Sequence, residues 1–106
     1  MGRAVFSWRR GIGRSLMARV EEEVRRRGGI TLWVGTDDET NLTSLGGVDV
    51  YPDVLGKVAG LKNLRGHPVG FYRALGFEMV GIVPDANGFG KPDLLMARRV
   101  GPVGSA

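Results

Sequence analysis

The run from Ile12 to Arg27 does most to limit what this chain can become. Its apolar residues recur at helical spacing, and glycines stand at both ends. Ile12, Leu16, Met17, Val20 and Val24 fall on one face of a helix. Glu21, Glu22 and Glu23 each precede an arginine by four residues, at Arg25, Arg26 and Arg27. Pairs in that orientation add roughly 0.2–0.5 kcal/mol each. The arginines also lie at the negative end of the helix dipole, and Gly28 or Gly29 supplies the stop. Ile30 to Val34 then reads as a strand, β-branched and alternating. Helix, glycine and strand make half of a βαβ unit, which calls for a parallel pairing with a strand before the helix. Only Val5 to Trp8 is available to provide that strand.

The start of the helix carries a chemical signal. Arg9-Arg10-Gly11-Ile12-Gly13-Arg14 places two glycines and three arginines where the helix opens. Glycine lets a backbone approach a ligand closely. The first helical N–H groups and the positive dipole end would face whatever sits there. That combination suits a phosphate or diphosphate. A dinucleotide fingerprint would need a further glycine where Leu16 stands, and a Walker loop would need Ser or Thr after Gly90-Lys91, where Pro92 stands.

Other features bound the alternatives. A chain of 106 residues suits one domain, read here as 1–100 with a frayed tail at 101–106. It has no cysteine, so disulfides, cysteine-ligated zinc and a thiol nucleophile are excluded. The lone histidine, His67, excludes a multi-histidine metal site, and before Pro68 it reads first as a structural residue. No apolar run approaches the roughly 18 residues of a membrane span, and a cytoplasmic setting is expected. The net charge of +4 favours anionic partners. A nucleic-acid role rests on charge alone, because the basic residues have no interleaved aromatics for base stacking.

Downstream, Asp37-Asp38-Glu39 follows the strand, where α/β sheets tend to face a ligand. Pro52 to Leu64 has helical spacing weakened by Gly56 and Gly60, and Pro68 to Leu75 reads as a short helix closed by Gly76. Phe77 to Val83 and Leu94 to Val100 read as an antiparallel hairpin around a glycine- and aspartate-rich loop at Pro84 to Pro92. The fold class is therefore α/β with a mixed sheet. It has a long helix, a central strand, a short helix and a C-terminal hairpin.

This order, with Tyr72 four residues before Gly76-Phe77, resembles the C-terminal half of the GNAT superfamily of acetyl-CoA-dependent N-acetyltransferases. Gly35 to Glu39, Gly66-His67-Pro68 and Pro84 to Gly88 look like the aminoglycoside 6′-N-acetyltransferase branch. Trp8 departs from the family's Gln or Arg, and the family's N-terminal half is missing. The resemblance implies acetyl-CoA as cosubstrate, held by Arg9, Arg10, Gly11, Ile12, Gly13 and Arg14, with Asn41 on the pantetheine arm. It implies Tyr72 as the general acid that protonates the departing thiolate. Asp37, Asp38 and Glu39 would bind the ammonium groups of a small amine such as an aminoglycoside, and Asp37 would take the proton of the attacking amine. No metal is required. The structural alternatives are a surface-facing Tyr72 hydroxyl beside a core Phe71, a solvated acidic turn at 37–39, and a plain turn asparagine at Asn41. Asp85 and Asp93 would line the acceptor site or serve the turn. The competing functional reading is a non-catalytic remnant that keeps a coenzyme A half-site or only self-associates, a homodimer covering the exposed sheet edge.

Overall fold

A computed structural model describes residues 10–102, with side chains from Gly13 onward. The long helix, α1, spans Arg10–Arg26. Its end is a Schellman motif: Gly28 N–H donates to Arg25 O at 3.0 Å and Gly29 N–H to Val24 O at 2.8 Å. Gly28 sits at φ 78°, a left-handed conformation that a Cβ disfavours. Strand β1 follows at Thr31–Asp37, three residues longer than expected at its C-terminal end. Asp37 is thus the last strand residue rather than the first of the loop.

The stripe that α1 buries is displaced from the one predicted. Met17 is fully buried, with Val20 and Val24 packed against the core, but Leu16 is 38% exposed. The buried line runs instead through Gly13, Met17 and Glu21. Glu21 can lie there, 8% exposed, because Arg98 reaches its carboxylate from the sheet. The predicted helix-surface pairs form in part. Glu21 lies 3.9 Å from Arg25 and Glu23 lies 3.3 Å from Arg27, while Arg26 turns to Glu23 at spacing three.

The predicted helix over 52–64 shrinks to α2, Val54–Ala59. Asp53 caps it, accepting from Gly56 N–H at 3.2 Å, and Gly60 ends it after six residues that bury none of their side chains fully. Helix α3 spans Val69–Ala74, with Pro68 as the residue before its first turn. Strands β2, Glu78–Val83, and β3, Asp93–Arg99, form the hairpin.

The sheet order is β1-β3-β2, and both pairings are antiparallel. Among the described residues the sheet is therefore not mixed. The strand expected at Val5 to Trp8, the only candidate for a parallel neighbour, lies outside the described residues. The core lies between α1, α3 and the sheet, where Met17, Leu32, Val34, Val69, Tyr72, Phe77, Leu94 and Met96 are buried together. No helix among the described residues is long and apolar enough to cross a membrane.

Candidate functional site

Arg14 of α1 and the start of α3 share a cleft of about 370 Å³. Arg14, Asn63, His67, Pro68, Phe71 and Ala74 are among its walls. That volume is at the lower end of small-molecule sites, which run from roughly 300 to 1,000 Å³. Arg14 is exposed, and its guanidinium lies over the Phe71 ring at 5.9 Å from the centroid. Such a contact holds a cation in place without neutralising it. Arg10 is the first residue of α1 among the described residues. A cationic side chain and an aromatic wall suit an elongated anion with an organic arm. Arg9 lies outside the described residues. Arg10, Gly11 and Ile12 are placed by backbone alone, at the helix start.

Tyr72 and Phe71 exchange the environments expected for them. Tyr72 is the core residue, 1% exposed, with its ring edge-on to Phe77 at 5.6 Å and to Phe71 at 5.7 Å. Phe71 is half-buried and faces the cleft. A six-residue helix is too short for periodicity to tell neighbouring aromatics apart.

The acidic trio divides. Asp37 and Glu39 are exposed, whereas Asp38 is 1% exposed and turned inward. Its Oδ1 accepts from Leu42 N–H at 2.7 Å, and its Oδ2 accepts from Thr43 N–H at 2.9 Å and the Thr43 hydroxyl at 2.7 Å. Burial pushes the Asp38 carboxyl up. The bonds from the Thr43 hydroxyl and the Leu42 and Thr43 amides outweigh it and hold the group below its ordinary value of 3.8. Asp38 is thus the knot of the 38–43 turn. Its oxygens are occupied, which removes it from the set of acceptor-binding carboxylates. Gly46 packs against the same knot, where a Cβ would stand 2.6 Å from Asn41 Cα.

Asp37 faces Asp93 directly across the β1–β3 ladder. Asn87 donates to Asp93 Oδ1 at 2.8 Å. Asp85 accepts from Gly90 N–H at 2.9 Å, which is turn chemistry. Asn41 sits in a left-handed turn at φ 59°, with its carbonyl accepting from Arg65 at 2.7 Å and its side chain against Gly47. It does not line the cleft. No group of three or more potential metal ligands occurs among the described residues.

His67 has the structural setting expected of it, by a route the sequence does not reveal. Its ring is buried, with Nδ1 accepting from Val69 N–H at 2.9 Å and Nε2 lying 2.7 Å from Asp37 O. An amide N–H can only donate, so Nδ1 presents its lone pair and the ring proton is on Nε2. Asn63 was not singled out from sequence. Its Oδ1 accepts from His67 N–H at 2.8 Å and its Nδ2 donates to His67 O at 3.1 Å. The only sequence trace of this clasp is an asparagine four residues before His67.

Three solved structures resemble this chain in sequence and in fold. An aminoglycoside 6′-N-acetyltransferase complexed with coenzyme A is 46% identical, with a TM-score of 0.81 over 89% of this chain and 52% of that one. The aminoglycoside 6′-N-acetyltransferase from Enterococcus faecium is also 46% identical, with a TM-score of 0.84 over 95% of this chain and 57% of that one. An aminoglycoside 6′-acetyltransferase type Ii is 36% identical, with a TM-score of 0.57 over 94% of this chain and 50% of that one. The chain therefore spans about half the length of the proteins it matches. No protein-family model matches the sequence, and no curated protein does.

Proposed function

On the footing that this chain belongs, over the half it spans, with the GNAT superfamily of N-acetyltransferases, we propose that it serves an acetyl-CoA-dependent N-acetyltransferase whose acceptor is a primary amine of the aminoglycoside type. The observation that carries this reading is the cleft that Arg14 of α1 shares with the start of α3, with the Arg14 guanidinium over the Phe71 ring. The cleft suits the diphosphate and arm of coenzyme A in charge and shape. The amides of the first turn and the arginines at 9, 10 and 14 would hold the diphosphate, with Gly11, Ile12 and Gly13 letting it approach the backbone. Asn41 belongs to this set only if the arm extends beyond the cleft towards the 38–47 loop.

Acetyl-CoA supplies an activated acyl group. The amine nitrogen bonds to the carbonyl carbon, the carbon–sulfur bond breaks, the nitrogen loses a proton and the thiolate gains one. Asp37, exposed at the end of β1, would accept the proton and hold the ammonium beforehand, with Glu39 adding charge beside it. Tyr72 would return a proton to sulfur. Its burial keeps the phenol from bulk water.

A second reading is a fragment that keeps a coenzyme A half-site without transferring an acetyl group. Two measurements separate the readings. Thermal unfolding with acetyl-CoA at about 100 times its dissociation constant should show a gain of about 2.7 kcal/mol. Mass spectrometry of an aminoglycoside incubated with the chain and acetyl-CoA should show a single added acetyl group. A thermal shift without acetylation supports the half-site, and no shift rejects both readings.

A further inference from the structure

We propose that His67 is a positioning residue that fixes Asp37 relative to the cleft through its Nε2–H bond to the Asp37 carbonyl. The inference rests on the acetyltransferase reading, and it concerns how the acceptor side of the site is held to the cofactor side. His67 is 3% exposed, yet it forms part of the cleft wall. One ring nitrogen accepts from Val69 N–H in the first turn of α3, 2.9 Å away. The other lies 2.7 Å from the carbonyl of Asp37, the last residue of β1. The imidazole therefore spans the junction between α3, which lines the cofactor cleft, and the strand end that carries the exposed carboxylate.

Both outer links of the span are themselves held. Asn63, on the cleft wall, clasps the His67 backbone with its two amide atoms at 2.8 and 3.1 Å. On the far side, Asp38 N–H donates to Pro92 O at 3.1 Å, and the Asp38 carboxylate knots the following turn. Asp37 thus sits between a fixed turn and a fixed imidazole. A carboxylate on a strand end would otherwise fray with the last ladder pair, and it faces a second carboxylate, Asp93, across that pair. The His67 bond keeps the Asp37 backbone in register against that repulsion.

The two ring nitrogens can be separated by substitution. In His67→Asn the amide oxygen replaces Nδ1, keeps the Val69 bond and lacks the reach to Asp37. In His67→Gln the amide N–H replaces Nε2, keeps the Asp37 bond and gives up the Val69 bond. Calorimetric titration of the wild type and both variants with coenzyme A, and separately with the aminoglycoside kanamycin, reads the two sides of the site independently. The expected result is kanamycin affinity weakened by about tenfold in His67→Asn and near wild type in His67→Gln, with coenzyme A affinity within about twofold in His67→Asn. Equal loss of both ligands in both variants would assign His67 a packing role only and overturn the inference. So would unchanged kanamycin affinity in His67→Asn. Absence of binding by the wild-type chain to either ligand would overturn the acetyltransferase reading itself, and the inference with it.

Discussion

Two regions of this molecule are held by different physics. The α1 helix and the β1–β3–β2 sheet are held by apolar side chains repeating with the periods of their elements, and Met17, Leu32, Val34, Leu94 and Met96 meet in one core. The segment from Asp38 to Pro68 contains only the six-residue α2. Leu45, Val50 and Leu61 anchor it to the same core, but its shape is set by single polar side chains bonded to backbone amides and carbonyls: Asp38 to Leu42 and Thr43, Asn63 to His67, His67 to Val69 and Asp37. The first region holds a polar pair, the buried Glu21 with Arg98, among its apolar contacts. The second depends on each of its few knots, and it carries one wall of the cleft.

The largest effect should come from the first region. Met96→Ala leaves a hole at a fully buried core position and should lower the unfolding free energy by about 2–5 kcal/mol in urea denaturation. Such a loss is global, and amide exchange should rise throughout the chain. If exchange rises only near Met96, the core is not one cooperative unit.

Asp38→Ala should rank next, at about 2–3 kcal/mol, because it strands two amides and a hydroxyl inside the turn. Here the loss should be local, with faster exchange at Leu42 and Thr43 and little change in α1. A uniform rise along the chain would erase the distinction between the two regions.

The same carboxylate sets an acid dependence. Its pKa is lower in the folded chain than its ordinary 3.8, so the unfolded chain binds the proton more readily. The stability it gives is complete above about pH 4 and is lost as pH falls below that, through the folded value. The unfolding temperature should drop over that window, and Asp38→Asn should flatten the drop. An unchanged slope in Asp38→Asn would assign the acid sensitivity to other groups.

The smallest effect belongs to Gly28. A Cβ there meets nothing within 4 Å, so Gly28→Ala tests the left-handed backbone alone. A loss of about 1 kcal/mol is expected, measurable by thermal unfolding. A loss of several kcal/mol would mean that the helix end carries more than its capping motif.

This contrast also explains what could be read beforehand. The long helix, its glycine stop, the strand after it and the final hairpin follow from periodicity and turn residues, and they stand within a few residues of their predicted bounds. Leu16 and Glu21 were misjudged because a 3.6-residue period leaves the centre of a stripe uncertain by one position, and because Arg98, the group that admits Glu21, is 77 residues away. The expected 52–64 helix failed at Gly60, where an apolar spacing was outweighed by backbone freedom. Near the site, the exposed side chain of Asp37 was legible, though not its place as the last residue of β1. The inward turn of Asp38, the exchange of Phe71 and Tyr72, and the Asn63–His67 clasp were not. A side chain bonded to a backbone group leaves no period in a sequence.

The account stands on an anion held where α1 begins. Calorimetric titration of the chain with coenzyme A, beside Arg14→Glu, tests this most directly. Saturable binding at one site per chain, weakened by at least about tenfold in a still-folded Arg14→Glu, is the predicted result. Equal affinity in the two proteins, or no binding to the wild type, would contradict it.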